Sequence, residues 1–257
     1  MAHDSPVPSS IPFRVLDSVS GAVKVLIAAL VVIGVVTAVL SLGSPDRFWM
    51  SLLVNWLFWS SLGIGMLMFA VALRLTNADW AWFIRRFALG GGAFLPVSFI
   101  LLPVVLFGGY EHYFHHWLHA EDDIIVQAKS AWLNWPGLAI RDTVAVAILY
   151  AGAFAFMYYS LRTPVHGVRN SRHSALYERL TRGYRGVHEE AAHSWKMTAR
   201  IGTILGILFA VLWGLVSIDM AMSLDPHWFS TMFPVNFFWA AFHGGVAVTT
   251  IVVILAR

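Results

Sequence analysis

The chain has 257 residues, of which 58% are hydrophobic and only 12% are charged, and its formal net charge at pH 7 is +3. Soluble domains are typically about 45–50% apolar and about 25% charged, so this chain has too few charges to cover a water-soluble globule. The composition therefore excludes soluble enzymes and disordered proteins. The absence of cysteine excludes disulfides, Cys-ligated clusters and thiol nucleophiles.

Six segments are long and apolar enough to span a bilayer, whose core of about 30 Å requires about 20 apolar residues per helix. In chain order they are residues 23–42, 48–73, 87–107, 143–161, 201–222 and 237–255. We therefore predict an all-α polytopic transmembrane helix bundle. Residues 1–22 form an N-terminal arm and 23–257 the transmembrane domain, with a histidine-rich loop at 108–142 and an arginine-rich loop at 162–200. Gly90, Gly91 and Gly92 lie inside span three, where we expect helix packing or bending.

The basic residues predict the orientation. Only three of the 17 Lys and Arg residues, namely Arg47, Lys129 and Arg141, lie on the side opposite both termini. Because cytoplasmic loops carry the excess of Lys and Arg, both termini and the loop at 162–200 are expected in the cytoplasm. That loop is expected to set topology and to contact anionic lipid. The positive net charge is thus a membrane signal, and nucleic-acid binding is not expected.

The end of span five carries acids with no basic residue nearby in sequence. Asp219 lies within the span, and Asp225 and His227 follow in residues 223–233, which contain no Lys or Arg. An acid at lipid depth without a counter-charge is expected to exchange protons near neutral pH. We therefore predict that Asp219, Asp225 and His227 belong to a proton path. In the alternative, Asp225 starts a helix with Pro226, and Asp219 only hydrogen-bonds to a neighbouring helix.

His243 is the only ionisable residue of span six and stands beside Gly244 and Gly245. Small residues at this point predict the close approach of another helix or of a ligand. A membrane histidine ligates haem, hydrogen-bonds a quinone or relays protons, or it simply bonds to a neighbouring helix. No second histidine lies in the six predicted spans, which argues against bis-histidine haem. We therefore add His243 to the proton-path candidates.

The loop before span four is rich in histidine and aromatic residues. His112, His115, His116 and His119 recur at i, i+3, i+4 and i+7, which places them on one face of a continuous helix. Such a face can bind zinc or copper, but aromatic residues are interleaved with the histidines, as in an interfacial helix. We predict an interfacial or partner-docking role and no metal site. The same role is predicted for Lys129, Asn134 and Arg141, and the two basic residues are expected to pair with acids or with a partner.

Two stretches resemble the large membrane subunits of alternative complex III, a bacterial quinol:cytochrome c oxidoreductase. The first is residues 217–233, with SLDPHWFSTMF at 223–233. The second runs from His115-His116-Trp117 through KSAWLN at 129–134 to Arg141. The resemblance covers most of the chain from residue 52 onwards. It is strongest to the second large membrane subunit, in the polysulfide-reductase (NrfD-like) membrane-subunit family.

This resemblance implies a fold of ten transmembrane helices, of which the six predicted here would be the front part, since the sequence stops directly after an apolar run. It implies a bacterial inner-membrane subunit with no redox centre of its own. Menaquinol or ubiquinol is the expected ligand, and haem c and iron–sulfur clusters belong to partners. The implied partners are a sister NrfD-like membrane subunit, an iron–sulfur subunit, and multihaem and monohaem cytochromes c. The alternative functions are a purely structural membrane anchor and, less favoured, a transporter or channel.

Overall fold

The computed structural model describes residues 20–41, 43–168 and 175–256, and within these ranges every regular element is helical. Six helical segments are long and apolar enough to cross a membrane. They are Gly21–Ser41, Pro45–Leu75, Asp79–Gly108, Trp135–His166, Val187–Leu224 and Phe233–Leu255. The predicted all-α polytopic bundle with six spans is confirmed. Residues 1–19 of the predicted N-terminal arm lie outside the described residues, and the first helix begins at Gly21.

Twelve α-helices follow one another in the described residues. They are α1 (Gly21–Ser41), α2 (Pro45–Leu75), α3 (Trp82–Leu89), α4 (Leu95–Gly108), α5 (Tyr110–Tyr113), α6 (His115–Leu118), α7 (Ile124–Ala128), α8 (Trp135–Val168), α9 (Ala175–Thr181), α10 (Val187–Leu208), α11 (Gly214–Met220) and α12 (Phe233–Leu255). A 3-10 turn at Gly90–Ala93 joins α3 to α4, and a π-turn at Phe209–Trp213 joins α10 to α11. Spans three and five are therefore each made of two helices.

The helices of spans four and five are longer than their apolar stretches predicted. The prediction began span four at residue 143 and span five at residue 201, whereas α8 begins at Trp135 and α10 at Val187. Polar residues at the C-terminal end of α8 and at the start of α10 continue these helices because they find partners in each other. Arg162 Nε and Glu190 Oε1 are 2.6 Å apart, and both side chains are buried. Much of the predicted loop at 162–200 is therefore helical.

Helix α2 is the central helix and packs on α12, α4, α10 and α3. Its contact with α12 is made by glycines. A Cβ added to Gly65 would lie 1.9 Å from the Ala241 carbonyl oxygen, and one added to Gly245 would lie 2.1 Å from the Gly65 carbonyl carbon. Only residues without a side chain permit this approach, so the close contact expected beside His243 is present. Helix α1, by contrast, has no buried residue.

The glycine run in span three also acts at a helix contact. A Cβ on Gly91 would lie 2.6 Å from the Gly63 carbonyl oxygen, and one on Gly92 would overlap Met157 Sδ of α8. The run forms a 3-10 turn between α3 and α4. The expected packing and bending site is thus observed.

The bundle has two chemically different ends. The histidine-rich end consists of residues 108–142 together with 217–232. The arginine-rich end consists of residues 74–86 together with 158–168 and 175–200. Helix α8 runs from one end to the other, which at 1.5 Å per residue is a length of about 50 Å. Asp219 and the sequence motifs lie at the histidine-rich end.

Candidate functional site

Asp219 lies at the centre of the histidine-rich end, where both of its carboxylate oxygens accept hydrogen bonds. Its side chain is 0% exposed. Arg141 Nε donates to Oδ2 over 2.9 Å, and Trp132 Nε1 donates to Oδ1 over 2.8 Å. The expectation that Asp219 has no cationic partner is therefore wrong. The partner comes from α8, 78 positions earlier in the chain, whereas the prediction considered only residues close in sequence.

Arg141 is held by Trp132 as well as by Asp219. Its guanidinium carbon lies 4.2 Å from the centroid of the Trp132 ring, and its Nη2 donates to the Trp132 carbonyl oxygen over 3.1 Å. Arg141 remains 23% exposed. The three residues form a closed triangle in which each contacts the other two. A fully buried carboxylate is thereby connected to a cation that reaches the surface of the bundle.

Asp142 is a second buried acid at this end, and the sequence prediction did not select it. It is 0% exposed, and neither of its carboxyl oxygens has a hydrogen-bond partner among the described residues. Asp219 and Arg141 are close enough for their charges to act on it. Burying an ionised carboxylate without a hydrogen bond is costly, so Asp142 is a group that calls for a partner or a proton.

The start of α8 fixes the position of Arg141 and Asp142. Asn134 precedes the helix, and its Oδ1 accepts a hydrogen bond from the Gly137 backbone N–H over 2.9 Å. This is the contact of a helix N-cap. A Cβ on Gly137 would lie 2.4 Å from Asn134 Oδ1 and 3.2 Å from Arg141 Nη1, so a larger residue there would displace the Asn134 side chain. Asn134 and Arg141, predicted as partner-docking residues, thus both make contacts within the chain.

The segment after span five forms a turn at Asp225, whereas the alternative to the proton path placed the start of a helix there. Asp225 Oδ1 accepts a hydrogen bond from the His227 backbone N–H over 3.1 Å, and the next long helix begins at Phe233. The predicted helix start at Asp225 and Pro226 is therefore wrong. The reason is that an aspartate can satisfy a backbone donor two residues ahead in a turn as readily as at a helix end.

Two side chains of residues 123–129 contact this turn. Lys129 Nζ donates to the Pro226 carbonyl oxygen over 2.6 Å, and His227 Nε2 lies 2.8 Å from Asp123 Oδ2. Asp123 also accepts from the Val126 N–H at the start of α7. That hydrogen bond is the main cause that holds the pKa of Asp123 below its usual range, and His227 contributes to the same shift. Lys129 and His227 therefore also contact their own chain.

A cavity of about 170 Å³ lies between the turn and the buried triangle. Its walls are mostly apolar and include Trp132, Met222, Trp228 and Phe229, with Lys129 at one side. Trp132 lines the cavity and also donates to Asp219. A molecule in the cavity would thus be separated from the buried carboxylate by one indole ring.

The histidines of residues 112–119 do not lie on one helix. Helices α5 and α6 are single turns separated at Phe114, so the predicted continuous face is wrong. The break lets several aromatic side chains turn inward together, and Tyr113, Phe114 and Trp117 are all buried. In the described part of the chain, no group of three or more His, Cys, Asp or Glu side chains is arranged to hold a metal ion.

The four histidines have different surroundings. His112 Nδ1 lies 2.6 Å from Asp46 Oδ1 at the start of α2. The ring centroids of His115 and His119 are 5.4 Å apart, and those of His115 and His116 are 6.2 Å apart. His112 thus connects to α2, whereas the other three form a separate group on the surface of the bundle.

His243 makes its hydrogen bond within its own helix. Its Nδ1 donates to the Trp239 carbonyl oxygen over 3.0 Å within α12, and its side chain is exposed. Of the four proton-path candidates, Asp219 alone belongs to the triangle. Asp225 and His227 share the turn beside the cavity, and His243 lies on the outer surface of the bundle. The structure therefore does not bring these four residues into one continuous chain of contacts.

A buried hydroxyl cluster in the middle of the bundle was not predicted. Ser98 Oγ lies 2.6 Å from Ser60 Oγ and 2.9 Å from the Tyr150 hydroxyl oxygen, and Trp56 Nε1 donates to the Ser98 carbonyl oxygen over 2.9 Å. These groups satisfy one another and join α2, α4 and α8. Serines in apolar spans gave no signal, because they occur at helix contacts of every kind.

Comparison with models of known protein families finds no match for this chain, and no curated protein matches it either.

Proposed function

We propose that this chain is a membrane subunit of a respiratory quinol:cytochrome c oxidoreductase of the alternative complex III type. In this proposal it contributes to quinol binding and to proton release, and it anchors redox subunits at its histidine-rich end. The proposal combines the motifs at 115–141 and 217–233 with the observation that both motifs meet at one site. Trp132 and Arg141 of the first motif bind Asp219 of the second.

The observation that carries the proton-release role is the pair of buried acids. Oxidation of a quinol releases protons as well as electrons, so the site of oxidation needs groups that change charge. Asp142 has no hydrogen-bond partner among the described residues, and Asp219 lies close enough to act on its charge. Two acids so arranged resist being ionised together, and one cation beside them lets a single negative charge be held. One acid can then release a proton while the other stays neutral, and Arg141 stabilises the single negative charge.

The adjoining cavity supports a quinol as the ligand. Its walls are apolar and aromatic, which suits a flat ring, and Lys129 and Asp225 at its margin provide a donor and an acceptor for ring hydroxyls. Because Trp132 stands between this cavity and Asp219, small movements of its ring would connect the ligand to the acids.

A specific observation favours the structural anchor as the second candidate. Both carboxylate oxygens of Asp219 are hydrogen-bonded, and the side chain is fully buried, which are properties of a group that fixes helix packing. In this case Asp219 would hold α8 against α11, and the turn at 225–229 would serve as a platform for a partner. The two candidates predict different turnover when asparagine replaces an aspartate, since this removes the charge and keeps the shape of the side chain.

The test measures quinol:cytochrome c turnover in the intact complex carrying Asp142→Asn, Asp219→Asn or, as a matched control, Asp122→Asn at an exposed position. If the acids carry protons, Asp142→Asn and Asp219→Asn lower turnover while the complex stays assembled, and Asp122→Asn does not. If they only fix the packing, asparagine keeps the Trp132 hydrogen bond at position 219 and turnover persists. Full turnover of both variants in an assembled complex would end the proton-release proposal.

The orientation is part of the proposal, with both termini in the cytoplasm and the histidine-rich end outside. The chain has no cysteine, so single cysteines can be introduced without background. A membrane-impermeant maleimide added to intact cells is expected to label Met232→Cys, which is 57% exposed, and not Thr76→Cys, which is exposed at the opposite end. The reverse pattern would contradict the orientation.

A further inference from the structure

A second cavity lies at the arginine-rich end, where α2, α3, α8 and α10 meet. Its volume is about 310 Å³, and its lining includes three arginines, namely Arg74, Arg85 and Arg86. Two tryptophans, Trp82 and Trp195, also line it. The cavity is thus a basic and aromatic pocket at the end of four transmembrane segments, and the proposed redox function does not use it.

Arg74 forms the floor of this pocket and is only 4% exposed. Its Nε donates to Thr198 Oγ1 over 3.0 Å, its Nη1 to Asn77 Oδ1 over 3.0 Å, and its Nη2 to the Trp195 carbonyl oxygen over 2.5 Å. All three acceptors are neutral. A buried guanidinium held only by neutral oxygens is fixed in place, but its charge is not compensated.

The one acid that acts on Arg74 and Arg85 within the described residues lies outside the pocket lining. Asp79 acts electrostatically on Arg74 and Arg85, but its side chain is exposed to solvent. Glu190 of α10 is paired with Arg162, with 2.6 Å between Oε1 and Nε. Among the described residues, the lining of the pocket itself contains no carboxylate. The charged side chains of the described lining are therefore all basic.

Two buried hydroxyls complete the lining. Thr163 Oγ1 on α8 and Ser194 Oγ on α10 both lie in the wall, are inaccessible to solvent, and have no hydrogen-bond partner within the described residues. A buried hydroxyl without a partner is unusual and calls for a ligand or water. Thr163 and Ser194 belong to different helices, so the fold and not the local sequence brings both residues to the wall of the pocket.

We propose that this pocket binds a phosphate ester, and that its carrier is the headgroup of an anionic phospholipid such as phosphatidylglycerol. Guanidinium groups and hydroxyl donors are the partners that phosphate oxygens prefer. The location favours a lipid, because basic pockets between transmembrane helices bind headgroups and tryptophans concentrate at headgroup depth. The same chemistry would accept a soluble phosphate ester, and the experiment separates these two sources.

The experiment is native mass spectrometry of the purified full chain after delipidation, with added phosphatidylglycerol or phosphatidylcholine. We expect one phosphatidylglycerol to be retained per chain and phosphatidylcholine to be lost. Arg85→Gln/Arg86→Gln is expected to weaken phosphatidylglycerol binding about tenfold or more, since it removes charge-assisted donors. The matched control Arg179→Gln/Arg182→Gln removes the same charge from the same end of the bundle outside the pocket lining, and is expected to change binding less than twofold.

Ser194→Ala is a milder variant that keeps all the arginines and the fold, and it is expected to weaken binding measurably by removing one donor. Competition with inorganic phosphate and glycerol phosphate identifies the carrier. If neither displaces the lipid at millimolar concentration, the lipid source is supported, and if they displace it and bind alone, the pocket takes a soluble phosphate. Equal retention of the two lipids with no binding of either phosphate compound would overturn the proposal. So would equal effects of the pocket and control variants.

Discussion

Replacement of Arg141 by methionine is expected to destabilise the protein far more than a charge replacement elsewhere at the same end. The variant leaves Asp219 at 0% exposure with only the Trp132 hydrogen bond. Removing one partner of a buried ion pair typically costs about 3–5 kcal/mol, because the remaining charge stays buried. Since the salt bridge measures 2.9 Å and only Arg141 is partly exposed, we expect a loss of about 3 kcal/mol.

The reciprocal variant, Asp219→Asn, is expected to cost less. Asparagine retains an oxygen acceptor for Trp132 Nε1, and the Arg141 side chain left behind is 23% exposed and still stacks on the Trp132 ring. We expect a loss of about 1.5 kcal/mol, the lower end of the range for one hydrogen bond to a charged group. In the double variant neither charge of the Arg141–Asp219 pair remains, so its loss is expected to be smaller than that of Arg141→Met alone.

The assay is unfolding of the purified protein in detergent, followed by the helical circular dichroism signal, for both single variants and the double variant. Arg47→Met is the matched control, because Arg47 is exposed at the start of α2. Its effect is expected within about 0.5 kcal/mol. The reasoning would be refuted if Arg141→Met cost no more than Arg47→Met, or if the two single losses simply added in the double variant.

Two further predictions concern packing and pH. Gly65→Ala places a methyl group 1.9 Å from the Ala241 carbonyl oxygen, so it is expected to lower the midpoint of detergent unfolding. Gly206→Ala is the control, because nothing lies within 4 Å of a Cβ at that position. Equal midpoints of the two variants would contradict the observed contact. The pKa of Asp123 is held below its usual range chiefly by the Val126 N–H, so its contribution to stability is present above the unfolded-state pKa and lost as the pH falls through the folded-state pKa. Hydrogen exchange at the Val126 amide, corrected for its intrinsic pH dependence, should therefore accelerate at acidic pH in the wild type and not in Asp123→Asn. An identical pH profile in the two proteins would contradict the role of the Asp123 carboxylate.

The six spans were predictable because the bilayer imposes one rule on every segment that crosses it. A run of about 20 apolar residues has to be helical to satisfy its own backbone, and this requirement does not depend on tertiary contacts. The Gly244-Gly245 contact was predictable for a similar reason, since small residues in a span have few uses other than close packing. Helix ends were harder, because α8 and α10 continue for as long as polar partners such as Arg162 and Glu190 are available.

The partner of Asp219 could not be found by reading span five alone, because Arg141 belongs to another helix. The depletion of basic residues at that end did contain a signal, since a cation placed there needs an acid. Asp142 was missed although helical spacing identifies it. Together with Val146, Leu149, Ala153 and Phe156 it recurs at intervals of four and three, and all five side chains are fully buried. An acid in register with the buried face of a spanning helix is therefore a stronger indication than an acid near its end.

The two ends of the bundle are expected to act independently, and this can be tested. Asp142 and Thr163 lie on the same helix, 21 residues apart, which corresponds to about 30 Å along α8. Between them the described core includes the hydroxyl cluster around Tyr150 and apolar side chains of α8 such as Leu149 and Phe156. Perturbations separated by more than about 10 Å without shared partners normally add within about 0.5 kcal/mol. The stability losses of Arg141→Met and Arg85→Gln are therefore expected to add in the double variant. A coupling well above that value would mean that α8 moves as one rigid element between two arrangements, and that events at the acid pair reach the basic pocket.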